Sequence, residues 1–156
     1  MAFYERPEID NNLYVKIEYD DILLLKIPSD EFHEHKHLLY KTILGKLSEK
    51  EFVSFTQTKK EVSLFISKSL LNEDELEFYD VKKYQPLYSG FRFYTANHGI
   101  YHIGVVNKIS NIFIGINIPI LYVNSYGNNY ILIESRFKEL AIQRVMDVPN
   151  FVFVEN

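Results

Sequence analysis

The chain of 156 residues has no cysteine. That excludes a disulfide scaffold, a thiol nucleophile, an iron–sulfur cluster and any zinc site built on thiolates. A surplus of basic charge is also missing. Twenty-one acids against 17 bases leave a net −4, which argues against generic coating of nucleic acid but leaves room for local basic patches. No apolar run approaches the roughly 18 residues that a membrane helix needs. The most apolar stretch, Ile109 to Val123, is broken by Asn111, Asn117 and Pro119. Glu5, Glu8 and Asp10 stand where a signal peptide needs a basic start and an apolar segment. The expectation is a soluble, cytoplasmic protein with no membrane partner. Nucleophilic chemistry is thin as well. There is no glycine-rich phosphate loop, and Ser89 and Ser125 have no His–Asp pattern around them. No catalytic residue and no cofactor are therefore nominated, and the chain reads as a non-enzyme.

What is present is globular. Hydrophobic residues make up 47% and charged residues 24%, enough for a packed core and too apolar for wholesale disorder. The length suits one domain or two subdomains of about 75 residues each. Ile, Lys, Asn and Tyr together supply 54 residues, and Lys outnumbers Arg 13 to 4. These amino acids have AT-rich codons, so the skew speaks of the source more than of the chemistry.

Periodicity divides the chain into elements. Leu13, Val15, Ile17 and Tyr19 alternate with polar residues, which predicts a half-buried strand. Asp20-Asp21 suits a turn, and Ile22 to Ile27 a fully apolar strand ending at Pro28. Ser29 is placed to cap a helix carrying Phe32, Leu39, Ile43 and Leu47. A hairpin over Phe52–Thr58 and Val62–Ser67 follows, with Lys59-Lys60 at its tip, and then a short acidic helix from Asn72 to Tyr79. The order then recurs as a strand at Leu87–Thr95, a loop, a helix at Ile100–Gly115, a hairpin over Ile118–Asn124 and Tyr130–Glu134, and a helix capped by Ser135. Shifting the first hairpin by 68 residues lays Val53 on Leu121 and Leu64 on Leu132, which points to an internal duplication. Each half has strand, helix, hairpin, helix, the start of the ferredoxin-like βαββαβ order. The expected fold is α+β: two tandem ferredoxin-like units side by side, 1–83 and 84–156, the second with an extended C-terminal tail. Val152 and Val154 alternate with Phe151 and Phe153 in that tail, so it predicts either the last strand of the second unit or a strand offered to a partner.

Gly115-Ile116-Asn117-Ile118 at a helix end, running into Leu121-Tyr122-Val123-Asn124-Ser125-Tyr126 and then Tyr130-Ile131-Leu132-Ile133-Glu134, resembles the ACT domain. Gly115 has a physical task there, since a left-handed residue is needed where the helix stops. The first half, Phe52-Val53-Ser54-Phe55-Thr56-Gln57-Thr58 before Val62–Ile66, resembles the CASTOR cytosolic arginine sensors within that family. A compact two-unit chain of this kind also resembles the microsporidian dormancy factors, which are ribosome-hibernation proteins. That resemblance implies a non-enzymatic protein that occupies the tRNA exit (E) site region of idle ribosomes and blocks translation, touching rRNA and ribosomal proteins. The ACT resemblance implies the alternative: an amino-acid sensor of the arginine type that binds its effector between the units and regulates a protein partner. Its effector loop would be Asn97, His98, Gly99 and Ile100.

Charge and aromatic placement add candidate contacts. Residues 1–83 carry 17 acids and 12 bases, while 84–156 carry 4 and 5. Lys59, Lys60, Lys82 and Lys83 fall at a hairpin tip and in a connector, where they suit phosphate contacts. Tyr126 falls in a turn, able to stack on a base. His33, Glu34, His35 and His37 crowd one helix turn. His33 and His37 share a face but lack a third ligand, so a polar face turned to solvent or RNA is expected, with His35 as a contact and no metal.

Overall fold

The computed structural model describes residues 12–79, 85–95, 104–125 and 127–155. Strand β1 (Leu13–Pro28) is a single 16-residue strand, so Asp20-Asp21 does not turn the chain as expected. The two aspartates sit in a bulge instead. The register of β1 against β4 (Tyr88–Tyr94) slips between Ile17 and Tyr19 and again between Tyr19 and Ile22. Tyr19 pairs with Gly90 and Ile22 with Tyr88, so β1 accommodates two extra residues. Two is also the period of a strand, and β1 therefore resumes its alternation on the same face. Asp21 takes φ 52, a left-handed conformation that a short polar side chain tolerates.

Helix α1 (Phe32–Lys46) leads to the hairpin β2 (Val53–Gln57) and β3 (Glu61–Ser67), followed by α2 (Glu73–Phe78). After β4 come α3 (Val105–Phe113), the hairpin β5 (Ile120–Asn124) and β6 (Asn129–Glu134), α4 (Lys138–Met146) and β7 (Phe151–Phe153). The strands form one sheet in the order β2-β3-β1-β4-β6-β5, with β7 added to β1. The architecture is the expected α+β pair of tandem ferredoxin-like units, joined edge to edge through β1 and β4. The two central strands run antiparallel, and each carries its own hairpin on its outer edge.

Long strand β1 serves both units. Its second half pairs with β3, and Leu23, Leu25 and Ile27 pack with Leu39, Val62, Leu64, Ile66 and Leu70. Its first half pairs with β4, and Leu13, Val15 and Ile17 pack with Phe91, Phe93, Ile131, Ile133 and residues of α3 and α4. The core of the second unit is thus completed by residues from the start of the described chain. Tyr130 and Leu132 alternate with Ile131 and Ile133 and lie on the sheet's other face, beside Ile22, Phe52, Tyr19, Phe65 and Tyr88.

Several local expectations change. The duplication register is 67, not 68. Val53 pairs with Ile66 as Ile120 pairs with Ile133, and Thr58 N–H donates to the Glu61 carbonyl as Ser125 N–H donates to that of Asn128. A shift of 68 would exchange the two faces of every strand. Ser29 does not cap α1; its hydroxyl donates to the Thr58 carbonyl at 3.1 Å and ties the helix entry to the hairpin. Ser135 opens a single 3₁₀ turn and meets the Ser89 hydroxyl at 3.2 Å, leaving Phe137 at the start of α4. Asn72 does cap α2, in a reciprocal capping box with Glu75. Gly115 takes φ 87 just after α3, the left-handed stop expected of it. Strand β7 closes the second unit by running parallel to Leu13–Val15, since β1 already occupies the edge of β4.

Candidate functional site

The bulge in β1 lies where one strand passes from the second unit to the first, and polar groups gather around it. Asp20 receives two donors from the second unit: the buried Ser89 hydroxyl on β4 at 2.6 Å and the Lys138 ammonium on α4 at 2.7 Å. Burial alone would raise the Asp20 carboxyl, but the hydrogen bonds from Lys138 and Ser89 and the Lys138 charge outweigh it and hold it below the usual range. Two residues earlier, Glu18 accepts from Arg92 at 3.0 Å and from the Tyr130 hydroxyl at 2.6 Å. The bulge is therefore fastened to β4, β6 and α4 by charge-assisted bonds, each stronger than a neutral one.

On its other side the bulge opens into a cleft of about 470 Å³, lined by Glu18, Tyr19, Asp20, Asp21, Lys50, Ser67, Lys68 and Ser69. This volume lies within the range of small-molecule sites. Local structure explains each contributor. Ser67 ends β3, where its hydroxyl accepts from the Phe52 N–H at 2.8 Å. Lys68 and Ser69 belong to the 3₁₀ turn that follows, and Lys50 to the connection before β2. Glu18 and Asp20 are engaged in the clamp just described. Asp21, Lys50 and Lys68 are exposed and have no side-chain partner among the described residues. The Tyr19 phenol is pushed up, first by burial and then by the Glu18 charge, so it is a neutral hydroxyl at physiological pH. The cleft thus offers a free carboxylate, two free ammonium groups and neutral hydroxyls. That is a matching set for a zwitterion.

The residues expected from sequence fall elsewhere. Lys59 and Lys60 are exposed at the tip of the β2–β3 hairpin. Lys82, Lys83, Tyr126 and the expected effector loop Asn97, His98, Gly99 and Ile100 lie outside the described residues. His33 and His37 are exposed on α1, as a polar face requires, but His35 is not part of that face. Its ring packs on Phe78 at 4.9 Å and on Tyr79 at 5.8 Å. Among the described residues no group of three His, Asp or Glu is placed to hold a metal. No described helix is long and apolar enough to cross a membrane. The cleft residues Asp21, Lys50 and Lys68 were missed in the sequence. The available signal was Asp20-Asp21, two acids inside an otherwise apolar strand pattern.

No family profile matches the chain, and no curated protein matches its sequence. Solved structures do match in fold. The Agrobacterium tumefaciens protein Atu0741 is similar at a TM-score of 0.65 with 15% identity, over 93% of this chain and 95% of that one. The aspartate kinase of Clostridium acetobutylicum is similar at 0.58 and 15% identity, over 81% of this chain but only 32% of the kinase. The ligand-free regulatory subunit of the Thermus thermophilus aspartate kinase is similar at 0.52 and 14% identity, over 86% of this chain and 95% of that subunit. The shared feature is the fold: tandem ferredoxin-like units of the ACT type, as the sequence resemblance implied.

Proposed function

We propose that the protein is a non-enzymatic regulatory module that binds a free amino acid in the cleft at the β1 bulge and signals occupancy to a protein partner. The observation that carries this reading is the cleft's lining. Free charges of both signs, Asp21 against Lys50 and Lys68, meet where β1 leaves one unit and enters the other. An α-ammonium would take the Asp21 carboxylate, and an α-carboxylate the two lysines. Ser69 and the Tyr19 hydroxyl are left for a polar side chain. Asp21 follows Asp20, which is bonded to β4 and α4, so a ligand that pulls on the bulge changes how the units meet. Coupling of that kind requires only that the ligand bind one arrangement better than the other. The fold likeness to regulatory parts of aspartate kinases, one of them described as an important allosteric enzyme, supports a regulatory role over a catalytic one.

Ribosome binding in the E-site region is the second reading. The exposed Lys59-Lys60 tip is the described feature that favours it. It is the weaker reading, because a two-lysine hairpin tip is also the ordinary protection of a turn. Two measurements on the full chain separate the readings. Thermal melting in the presence of each proteinogenic amino acid should rise for one chemical class, since a ligand at 100 times its Kd adds about 2.7 kcal/mol of stability. Sedimentation of a cell extract on a sucrose gradient should leave the protein at the top. Co-sedimentation with ribosomes and no melting shift with any amino acid would replace the sensor reading by the ribosomal one.

A further inference from the structure

The charges that line the bulge cleft are not all available to a ligand. Every carboxylate oxygen of Glu18 and Asp20 already accepts a hydrogen bond, Glu18 from Arg92 and Tyr130, Asp20 from Ser89 and Lys138. Each of these acids also has a base of its own, so Glu18 with Arg92 and Asp20 with Lys138 are neutral pairs. What remains free in the lining, among the described residues, is one carboxylate, Asp21, and two ammonium groups, Lys50 and Lys68. The cleft therefore carries one positive charge in excess, within a chain whose net charge is −4.

The backbone brings these three residues together. Phe52 N–H donates to the Ser67 hydroxyl at 2.8 Å, and Ser67 N–H donates to the Phe52 carbonyl at 2.9 Å. This reciprocal pair holds the connection leading into β2 against the turn after β3. Lys50 precedes Phe52 by two residues and Lys68 directly follows Ser67, so the two lysines come from adjacent segments. Ile22 on β1 pairs with Ser67 on β3. The next position outward on each strand is then Asp21 and Lys68.

An amino acid with a neutral side chain matches only part of this set. Its α-ammonium is balanced by Asp21 and its α-carboxylate by one lysine, which leaves the second lysine without a counter-charge. A basic side chain, of the arginine type that the sequence resemblance implies, fits worse. Asp21 is then already taken by the α-ammonium, and a second cation would face the lysines. A side-chain carboxylate completes the match. The hydroxyls of Tyr19 and Ser69, also in the lining, can donate to its remaining oxygen. We infer, on the amino-acid reading of this cleft, that its preferred occupant is an acidic amino acid, aspartate or glutamate, with one lysine on each carboxylate.

The test is calorimetric titration of the full chain with aspartate, glutamate, their amides asparagine and glutamine, and arginine, repeated on Lys50→Met and Lys68→Met. Ionic strength is held constant, because salt screens exposed charges. At least one acid should bind saturably, and about tenfold or more tightly than its own amide, since the amide lacks the charge that the second lysine matches. Both lysines are exposed and unpaired among the described residues, so both variants should melt like the parent. In one of them the acid should lose its advantage over the amide. An amide or arginine that binds as tightly as the acids would overturn the inference, as would a preference left intact in both variants. Those results leave the amino-acid reading standing. Binding of none of the five also overturns the inference, whereas the reading beneath it falls only if no proteinogenic amino acid shifts the melting temperature.

Discussion

The Tyr130 hydroxyl donates a 2.6 Å hydrogen bond to one oxygen of Glu18, while Arg92 donates to the other at 3.0 Å. The two residues stand 112 positions apart in the chain, and the bond fastens β6 to the bulge of β1. Tyr130 is 8% exposed, so Tyr130→Phe leaves a half-buried carboxylate oxygen short of one donor. The expected cost is about 1–2 kcal/mol. In a chain of this size that lowers the melting temperature by a few degrees. A melt unchanged by the substitution would show that the bond has no part in holding the units together.

Gly90 tests the packing around the same bulge. A Cβ added there would lie 3.3 Å from Ile22 Cδ1, 3.5 Å from Tyr19 Cβ and 3.6 Å from Leu132 Cδ2. Alanine fits with a small adjustment of Ile22. Valine overfills the site, and Gly90→Val should cost about 1–3 kcal/mol more than Gly90→Ala in urea unfolding. Equal midpoints for the two variants would mean that the sheet face behind β4 is looser than its contacts imply.

The tail is part of the fold. Val154 N–H donates to the Val15 carbonyl at 2.8 Å, and Phe151 and Phe153 pack on the core of the second unit. Phe153→Ala should therefore destabilise by about 2 kcal/mol, below the range for a fully buried phenylalanine because this one is half-buried. Chemical denaturation reads this directly. A variant of unaltered stability that loses only a binding activity would return the tail to the role of a partner-docking strand.

Alkaline pH should weaken the protein through two tyrosines. Burial, with the Glu75 charge added, pushes Tyr79 up to about 12. Burial, with its hydrogen bond to Glu18 and the Glu18 charge, pushes Tyr130 well above the ordinary value. The folded state thus holds both protons more tightly than the unfolded chain. Their contribution is complete below the ordinary tyrosine pKa of about 10 and is lost as pH climbs toward the folded values. Unfolding free energy measured against pH should fall above about 10. The Tyr79→Phe, Tyr130→Phe double variant should fall less steeply. An identical slope in the double variant would contradict these assignments.

Sequence patterns revealed the architecture because both units repeat it and because burial on one sheet face forces strict alternation at Leu13–Ile17 and Val62–Ile66. They failed where tertiary contacts decided between local options. Asp20-Asp21 looks like a turn by composition, and only the partners Ser89 and Lys138, 69 and 118 residues away, keep it inside a strand. Ser29 and Ser135 look like helix caps, yet their hydroxyls meet Thr58 and Ser89 instead. The duplication register was off by one because hydrophobic residues occupy both faces of the second hairpin, with Tyr130 and Leu132 buried as well as Ile131 and Ile133. The cleft was not visible because Asp21, Lys50 and Lys68 come from three separate segments and form no motif.

The measurement that bears most directly on the amino-acid reading is calorimetry of the full chain with the amino acid that raises its melting temperature, compared with Asp21→Asn and Lys68→Met. Both residues are exposed and unpartnered among the described residues, so both variants should melt like the parent. Each removes one charge that would face the zwitterion, and each should weaken binding about tenfold or more. Saturable binding by the parent with clearly reduced affinity in both variants is the predicted result. Affinity unchanged in the two variants, or no amino acid bound by the parent, would contradict the account.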